Sequence, residues 1–263
     1  MQAQGVWFAL VISQDIVRLE NVSHGFDGHV VLKDVNLRVS RGEIVGLIGP
    51  GGHGKSVLLK LVAGLIQPVS GTVRVFGQEV SGASDRQLGE VRAAMGYLFQ
   101  NYALFDFMTV FENVAFPLRQ LGGFLDAEIR ERVIGLLTEV GLGAALELYP
   151  RELSGGMKKR VGLARAVITH PRLTLYDDPS AGLDPVTSSK IFELISRLQQ
   201  MEDRSTAIVA SHDVDRMKAI CERYVMLYQG RILYDGPESG IAGADPMVGE
   251  FFYGALHKAG SAS

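Results

Sequence analysis

Apolar and polar residues recur along this chain at two periods, and the switches between them lay out its elements. Residues 16–19 (Ile-Val-Arg-Leu) and 30–39 alternate as half-buried strands do, with a turn near Ser40, Arg41 and Gly42. Residues 43–48 are a short apolar run, the signature of a buried strand. After a glycine-rich loop, Val57, Leu58, Leu61, Val62 and Leu65 fall at helical spacing, predicting a helix from about 54 to 66.

The middle of the chain, about 89–170, changes to helical periodicity. Ile129, Val133, Leu136, Leu137 and Val140 share one face of a helix that Gly141 can end. A second helix begins near Ser154, with Met157, Val161, Ala164 and Ile168 on one stripe. Strand patterns return at 173–176, 206–210 and 224–228, and Gln229-Gly230 predicts a hairpin turn into 231–234. Strands and helices alternating around a helical insert predict an α/β nucleotide-binding core with a helical subdomain. The sequence shows no internal repeat and no low-complexity tract.

Composition narrows the classes. With 263 residues and 47% hydrophobic content, the chain has material for a packed core and does not read as disordered. A net charge of −3 argues against a nucleic-acid partner held by broad positive potential. Cys221 is the single cysteine, so no disulfide forms within the chain, which fits a reducing compartment. The apolar run at 6–12 is too short to span a bilayer and lacks the flanks of a signal peptide. It reads as an extra strand or a loosely packed extension, and Gly260, Ser261, Ala262 and Ser263 read as a disordered end.

The glycine-rich loop carries the first chemistry. Gly49, Pro50, Gly51, Gly52, His53, Gly54, Lys55 and Ser56 spell G-x-x-x-x-G-K-[ST] between a predicted strand and a predicted helix. Glycines let the backbone curl until its N–H groups face phosphate oxygens, and the helix N-terminus adds its dipole. Lys55 supplies a point charge for the β/γ-phosphates and Ser56 a hydroxyl for Mg2+. Because such a loop works through its backbone, His53 is expected to be an inert lining residue.

Two consecutive carboxylates, Asp177 and Asp178, close the apolar run at 173–176. One can hold a metal; the second needs another task. Further back, Ser154 is a natural N-cap, and Gly155 and Gly156 leave backbone donors uncovered at a helix start. That is either an ordinary capped helix or a second anion site about 100 residues from the first. Two separate phosphate-binding ends in one chain suggest that the ends meet across a dimer.

Together these residues resemble the ABC transporter ATPases over about 15–240. Residues 49–56 look like the Walker A loop, 153–157 (Leu-Ser-Gly-Gly-Met) the ABC signature, and 173–178 the Walker B strand. Ser180, Ala181, Gly182, Leu183 and Asp184 look like the D-loop, Gln100 matches the Q-loop glutamine, and His212 matches the switch histidine. Phe26 matches the aromatic that stacks on adenine. The resemblance implies a P-loop NTPase core, the RecA-like ABC nucleotide-binding domain, with an antiparallel β subdomain and a helical subdomain at about 89–170. Residues 1–14 and 241–263 then become terminal extensions.

The resemblance also implies a head-to-tail homodimer that encloses two ATP molecules. Each ATP lies between one chain's Gly49, Gly51, Gly52, His53, Gly54, Lys55, Ser56 and Val57 and the other chain's Ser154, Gly155 and Gly156. Ser56, Gln100 and Asp177 are the implied Mg2+ ligands, and Asp178, His212 and Gln100 the implied catalytic groups.

Two positions depart from the family pattern. Asp178 stands where a glutamate normally polarises the attacking water. It keeps the carboxylate but is shorter by one methylene, roughly 1.5 Å of reach. A misplacement of ~1 Å costs on the order of 100-fold in rate. The expectation is slow-to-normal hydrolysis, with an ATP-binding switch that hardly hydrolyses as an alternative. Val57 replaces a common threonine, so somewhat weaker nucleotide binding is expected.

Residues 153–161, 96–105 and 110–118 are similar to the Mce-associated (Mla-type) lipid-transport ATPases. That likeness implies an ATPase seated on the cytoplasmic, inner face of the cytoplasmic membrane, peripheral to it. Its implied partners are a membrane permease and, indirectly, an Mce-type lipid-binding protein. A soluble, non-transport ABC ATPase is the other alternative. Phe99, Tyr102, Phe105, Phe107, Phe111 and Phe116 crowd one segment, and residues 100–117 are expected to line the permease groove, with about half of these rings in the core. For Phe251, Phe252 and Tyr253 three roles stand open: packing on the core, a dimer contact, or recruitment of a small regulatory protein.

Overall fold

The computed structural model describes residues 15–201 and 205–254. The expectations for residues 1–14 and for the last four residues lie outside the described residues. In chain order the elements are β1 (Asp15–Phe26), β2 (His29–Ser40), β3 (Ile44–Ile48), α1 (Lys55–Val62), β4 (Ser70–Val75) and β5 (Gln78–Glu79). Next come α2 (Asp85–Ala93), β6 (Met95–Leu98), α3 (Val110–Leu121), α4 (Asp126–Glu139) and α5 (Gly155–Val167). The last are β7 (Leu173–Asp177), α6 (Pro185–Met201), β8 (Thr206–Ala210), α7 (Val214–Met217), β9 (Arg223–Tyr228), β10 (Arg231–Gly236) and α8 (Pro246–Phe252).

The strands divide by period. Alternating β1, β2 and β4, with β5 at the edge, form an antiparallel sheet in the order β2-β1-β4-β5. The short apolar runs form the second sheet, in the order β10-β9-β3-β8-β7-β6. Its strands β9, β3, β8, β7 and β6 are parallel, and β10 adds antiparallel to β9. Every residue of β7 and β8 is buried, as expected for strands covered on both faces. The β9–β10 turn uses Gln229 at φ 47° and Gly230 at φ 75°, the doubly left-handed turn that matches strand twist.

Two hydrophobic clusters hold the layers. One joins the antiparallel sheet to α1 and one face of the parallel sheet through Leu19, Leu37, Leu58 and Leu175. The other joins the opposite face to α3, α4, α5 and α6 through Val114, Val133, Leu163 and Ile195. Within the stretch expected to be helical, β6 is a strand of the parallel sheet, and α3–α5 supply the helices. Of the open roles for the C-terminal segment, packing on the core is seen: Phe252 is buried edge-on against Tyr224, 4.8 Å between ring centroids.

Helix α5 runs through the centre and is buried on most sides. Its second lysine therefore has no solvated face to point to: Lys159 is 0% exposed.

Candidate functional site

The phosphate loop joins β3 to α1 and needs glycine at two points. Gly49 has φ 138°, and a Cβ there would meet the Leu227 carbonyl oxygen at 2.1 Å. Gly54 caps α1 at φ 100°, and a Cβ would meet Leu32 Cδ2 at 2.7 Å. Inside the curl, Lys55 Nζ donates to the carbonyls of Gly49 (2.6 Å) and Pro50 (2.8 Å). Burial lowers the Lys55 pKa, while Asp178 and Asp177 act in the other direction.

His53 fastens the loop to its neighbour. Its Nδ1 accepts the Gln229 N–H at 3.1 Å, and its ring leans on Tyr228 at 5.0 Å. Burial and then the Lys55 charge lower its pKa, so a neutral ring fits this contact.

The first aspartate meets the loop. Ser56 Oγ donates to Asp177 Oδ1 at 2.7 Å, and Tyr97 Oη approaches Asp177 Oδ2 at 3.4 Å. Burial pushes the Asp177 carboxyl up against those bonds, which favour its charged form. The paired oxygens fit Mg2+, a hard cation that takes one or two protein oxygens and completes its shell with phosphate and water. No cluster of three or more His, Cys, Asp or Glu suited to a metal occurs among the described residues, so the chain offers a partial shell.

The second aspartate turns elsewhere. Asp178 has φ 47°, a left-handed conformation that aspartate tolerates better than most residues. Its N–H donates to the Ala210 carbonyl at 2.8 Å, at the end of β8. Its Oδ2 lies 3.3 Å from His212 Nδ1, and its Oδ1 accepts from Ser211 Oγ at 3.4 Å. The bond to Asp178 raises the His212 pKa, with burial opposing.

A cleft of about 330 Å³ joins these parts, lined by Gly51, Gly52, Lys55, Ser56, Gln100 and both aspartates among others. Val57 also lines it. Phe26 stands half-exposed at the end of β1, edge-on to His24 at 4.7 Å. Ser154 caps α5 by accepting the Met157 N–H, and the glycines Gly155 and Gly156 follow it. None of these three residues lines the cleft. Asp184 accepts from the N–H groups of Val186 and Thr187 at 3.0 Å each and from the Thr187 hydroxyl, which fixes the start of α6.

A larger cavity, about 690 Å³, lies on the helical side. Tyr97, Phe99, Phe105, Phe116, Pro117 and Arg165 are among its lining residues, so it reaches beyond residues 100–117. None of the six aromatic rings is fully buried, and Phe107 is 74% exposed, which corrects the expectation that half would be core. Their segment is spread over a loop and α3 and cannot turn inward together. Asn113, fully buried, shapes that loop: its amide donates to the carbonyls of Phe105, Met108 and Thr109 and accepts the Phe105 N–H.

Sequence reasoning singled out neither Asn113, Tyr97, Ser211 nor Lys159 as part of a site. A buried polar role leaves no periodic signal, although Ser211 stands beside the matched His212.

A family model described as "ABC transporter" matches residues 32–181. The chain is 37% identical over 244 residues to the intermembrane phospholipid transport system ATP-binding protein MlaF of Haemophilus influenzae, covering 92% of each chain. It is 41% identical over 203 residues to the methionine import ATP-binding protein MetN of Carboxydothermus hydrogenoformans, covering 77% of this chain and 60% of that protein. It therefore spans less than two thirds of the length of that relative. Among solved structures, a dimeric ATP-binding cassette in a post-hydrolysis state, bound to ADP and Pi, superposes with a TM-score of 0.77 at 31% identity. That match covers 84% of this chain and 98% of the other.

Proposed function

The chain belongs to the ABC transporter family and is an ATPase, and we propose that it powers phospholipid movement between membranes as the ATP-binding subunit of an Mla-type system. The match to the phospholipid transport protein over 92% of both chains supports the lipid branch. The importer match leaves part of that relative without a counterpart here.

The observation that carries the hydrolytic reading is the Asp178–His212 contact beside the phosphate cleft. Lys55 and the loop amides bind the β- and γ-phosphates. Ser56, Asp177 and Gln100 would hold Mg2+, which would neutralise charge on the phosphate oxygens. Asp178 orients the attacking water and accepts its proton, and His212 faces the γ-phosphate. Phe26 stacks on adenine. The cleft lacks Ser154, Gly155 and Gly156, which supports a homodimer in which the partner's signature helix closes each site.

The aromatic cavity on the helical side receives the cytoplasmic helix of a membrane permease. No helix among the described residues is long and apolar enough to cross a membrane. The Mce-type lipid carrier is then an indirect partner. The test is purification of the chain with its permease and reconstitution into vesicles. ATP-dependent transfer of a fluorescent phospholipid supports the proposal; methionine-stimulated turnover without lipid transfer overturns it.

A further inference from the structure

Lys159 is a fully buried cation whose hydrogen bonds go to main-chain carbonyls. Its Nζ donates to the main-chain carbonyls of Gln100 (2.9 Å) and Asp178 (3.2 Å) and lies 4.8 Å from the centre of the Tyr102 ring. Burial lowers the Lys159 pKa to about 8, with the charges of Asp178 and Asp177 acting in the other direction, and its direct partners are two neutral carbonyls and a ring face, which compensate only partly for removing an ammonium from water. A methionine would fill the same space without that cost. The cation therefore does something that packing alone does not require.

Its two acceptors identify the task. Gln100 and Asp178 both line the phosphate cleft, and they come from the ends of neighbouring strands β6 and β7. Both are exposed or loop positions, and Asp178 is in the left-handed region. One turn and a half further along α5, Arg165 grips the carbonyls of Tyr102 and Ala103 at 2.8 and 2.7 Å. Helix α5 thus holds the segment after β6 at three carbonyls and the residue after β7 at a fourth. Its own N-terminus is Gly155.

We infer that Lys159 is a positioning residue for ATP hydrolysis: by pinning the main chain at Gln100 and Asp178 to α5, it sets where the Asp178 carboxylate and the Gln100 side chain stand over the phosphate loop. The inference rests on the reading of Asp178 as the group that orients water. It also explains how an aspartate can serve there. A shorter side chain tolerates less backbone drift, and a drift of about 1 Å costs on the order of 100-fold. Lys159 makes no hydrogen bond to Lys55, Ser56 or Asp177, so the phosphate loop keeps its own contacts without it.

The experiment is steady-state phosphate release with Mg2+ and ATP for the full chain, Lys159→Met, Lys159→Gln and Asp178→Asn, with melting temperature as a fold check. Methionine removes both bonds; glutamine can still donate but is shorter. Lys159→Met is expected to lose at least about tenfold in kcat with KM for ATP within about twofold, and Lys159→Gln to lose less. A Met enzyme with wild-type kcat, or one in which KM rises as kcat falls, overturns the inference. If Lys159→Met does not fold, Lys159→Gln decides: reduced kcat at unchanged KM supports it and unchanged kcat overturns it. Asp178→Asn separates the two readings, because an active Asn enzyme overturns the role of Asp178 itself, whereas a silent one beside a Lys159→Met enzyme of wild-type kcat overturns Lys159 alone.

Discussion

Asp178 Oδ2 and His212 Nδ1 lie 3.3 Å apart, so the second of the two consecutive aspartates already reaches the histidine just past the end of β8. The left-handed backbone at Asp178 and its N–H bond to Ala210 aim the short side chain there. The contact favours the protonated imidazole and raises the His212 pKa above its ordinary 6.5. Its stabilising effect is therefore complete below pH 6.5 and fades as the pH rises through the raised value. The melting-temperature gap between wild type and His212→Gln should be larger near about pH 6 than near about pH 9. A gap that does not change with pH contradicts this.

Asn113 satisfies one N–H and three carbonyls of the loop before α3. Replacing it with leucine takes the partner from the Phe105 N–H and the Met108 carbonyl, while the Phe105 and Thr109 carbonyls keep the backbone N–H groups of residues 108 and 113. The expected loss is about 1–3 kcal/mol, read as a melting point lower by several degrees at about 2–4 °C per kcal/mol. An unchanged melting point would show that water or a shifted loop satisfies them.

Lys55 is held within the loop by two carbonyls of the loop itself, and the proposed function assigns its ammonium to the phosphates. Lys55→Met should weaken ATP binding by roughly 10- to 150-fold, the range for losing a charged hydrogen bond. Titration with a fluorescent ATP analogue measures it. Affinity within about twofold of wild type would place the phosphates elsewhere.

The ring of Phe105 lies between Phe107 at 5.7 Å and Phe116 at 4.9 Å. Alanine at Phe105 or Phe107 should cut permease binding by about tenfold or more while leaving turnover of the free chain unchanged. Permease retained at wild-type levels by both variants would remove the groove from the account.

The legible parts of the sequence were those with a period or a spaced motif. The apolar runs became β3, β7, β8 and β9, and the stripe from Ile129 to Val140 became α4, ended by Gly141 at φ 69°. The stripe on α6, with Ile191, Leu194, Ile195 and Leu198 buried, has the same spacing but stood outside the expectations. Helix α3 was hidden for a physical reason: Pro117 and the two phenylalanines Phe111 and Phe116 obscure its period, and the Thr109–Glu112 capping box starts it. The predicted helix from 54 to 66 stops at Val62 because Gly64 turns left-handed at φ 64°.

The phosphate loop, both aspartates and His212 were readable as motifs. What the sequence could not display is who holds them. Lys159 sits in a Lys-Lys-Arg run that reads as solvated, yet it is buried because α5 is enclosed on most sides. Tyr97 looks like an ordinary strand aromatic, yet it touches both the groove and Asp177.

The central claim is that Asp178 does the work a glutamate normally does at its position, and the most direct measurement is steady-state phosphate release by wild type, Asp178→Glu and Asp178→Asn with Mg2+ and ATP. The account predicts turnover in wild type and its loss in Asp178→Asn. Wild type and Asn equally silent, with turnover appearing only in Asp178→Glu, would contradict it and make this chain a clamp driven by ATP binding alone.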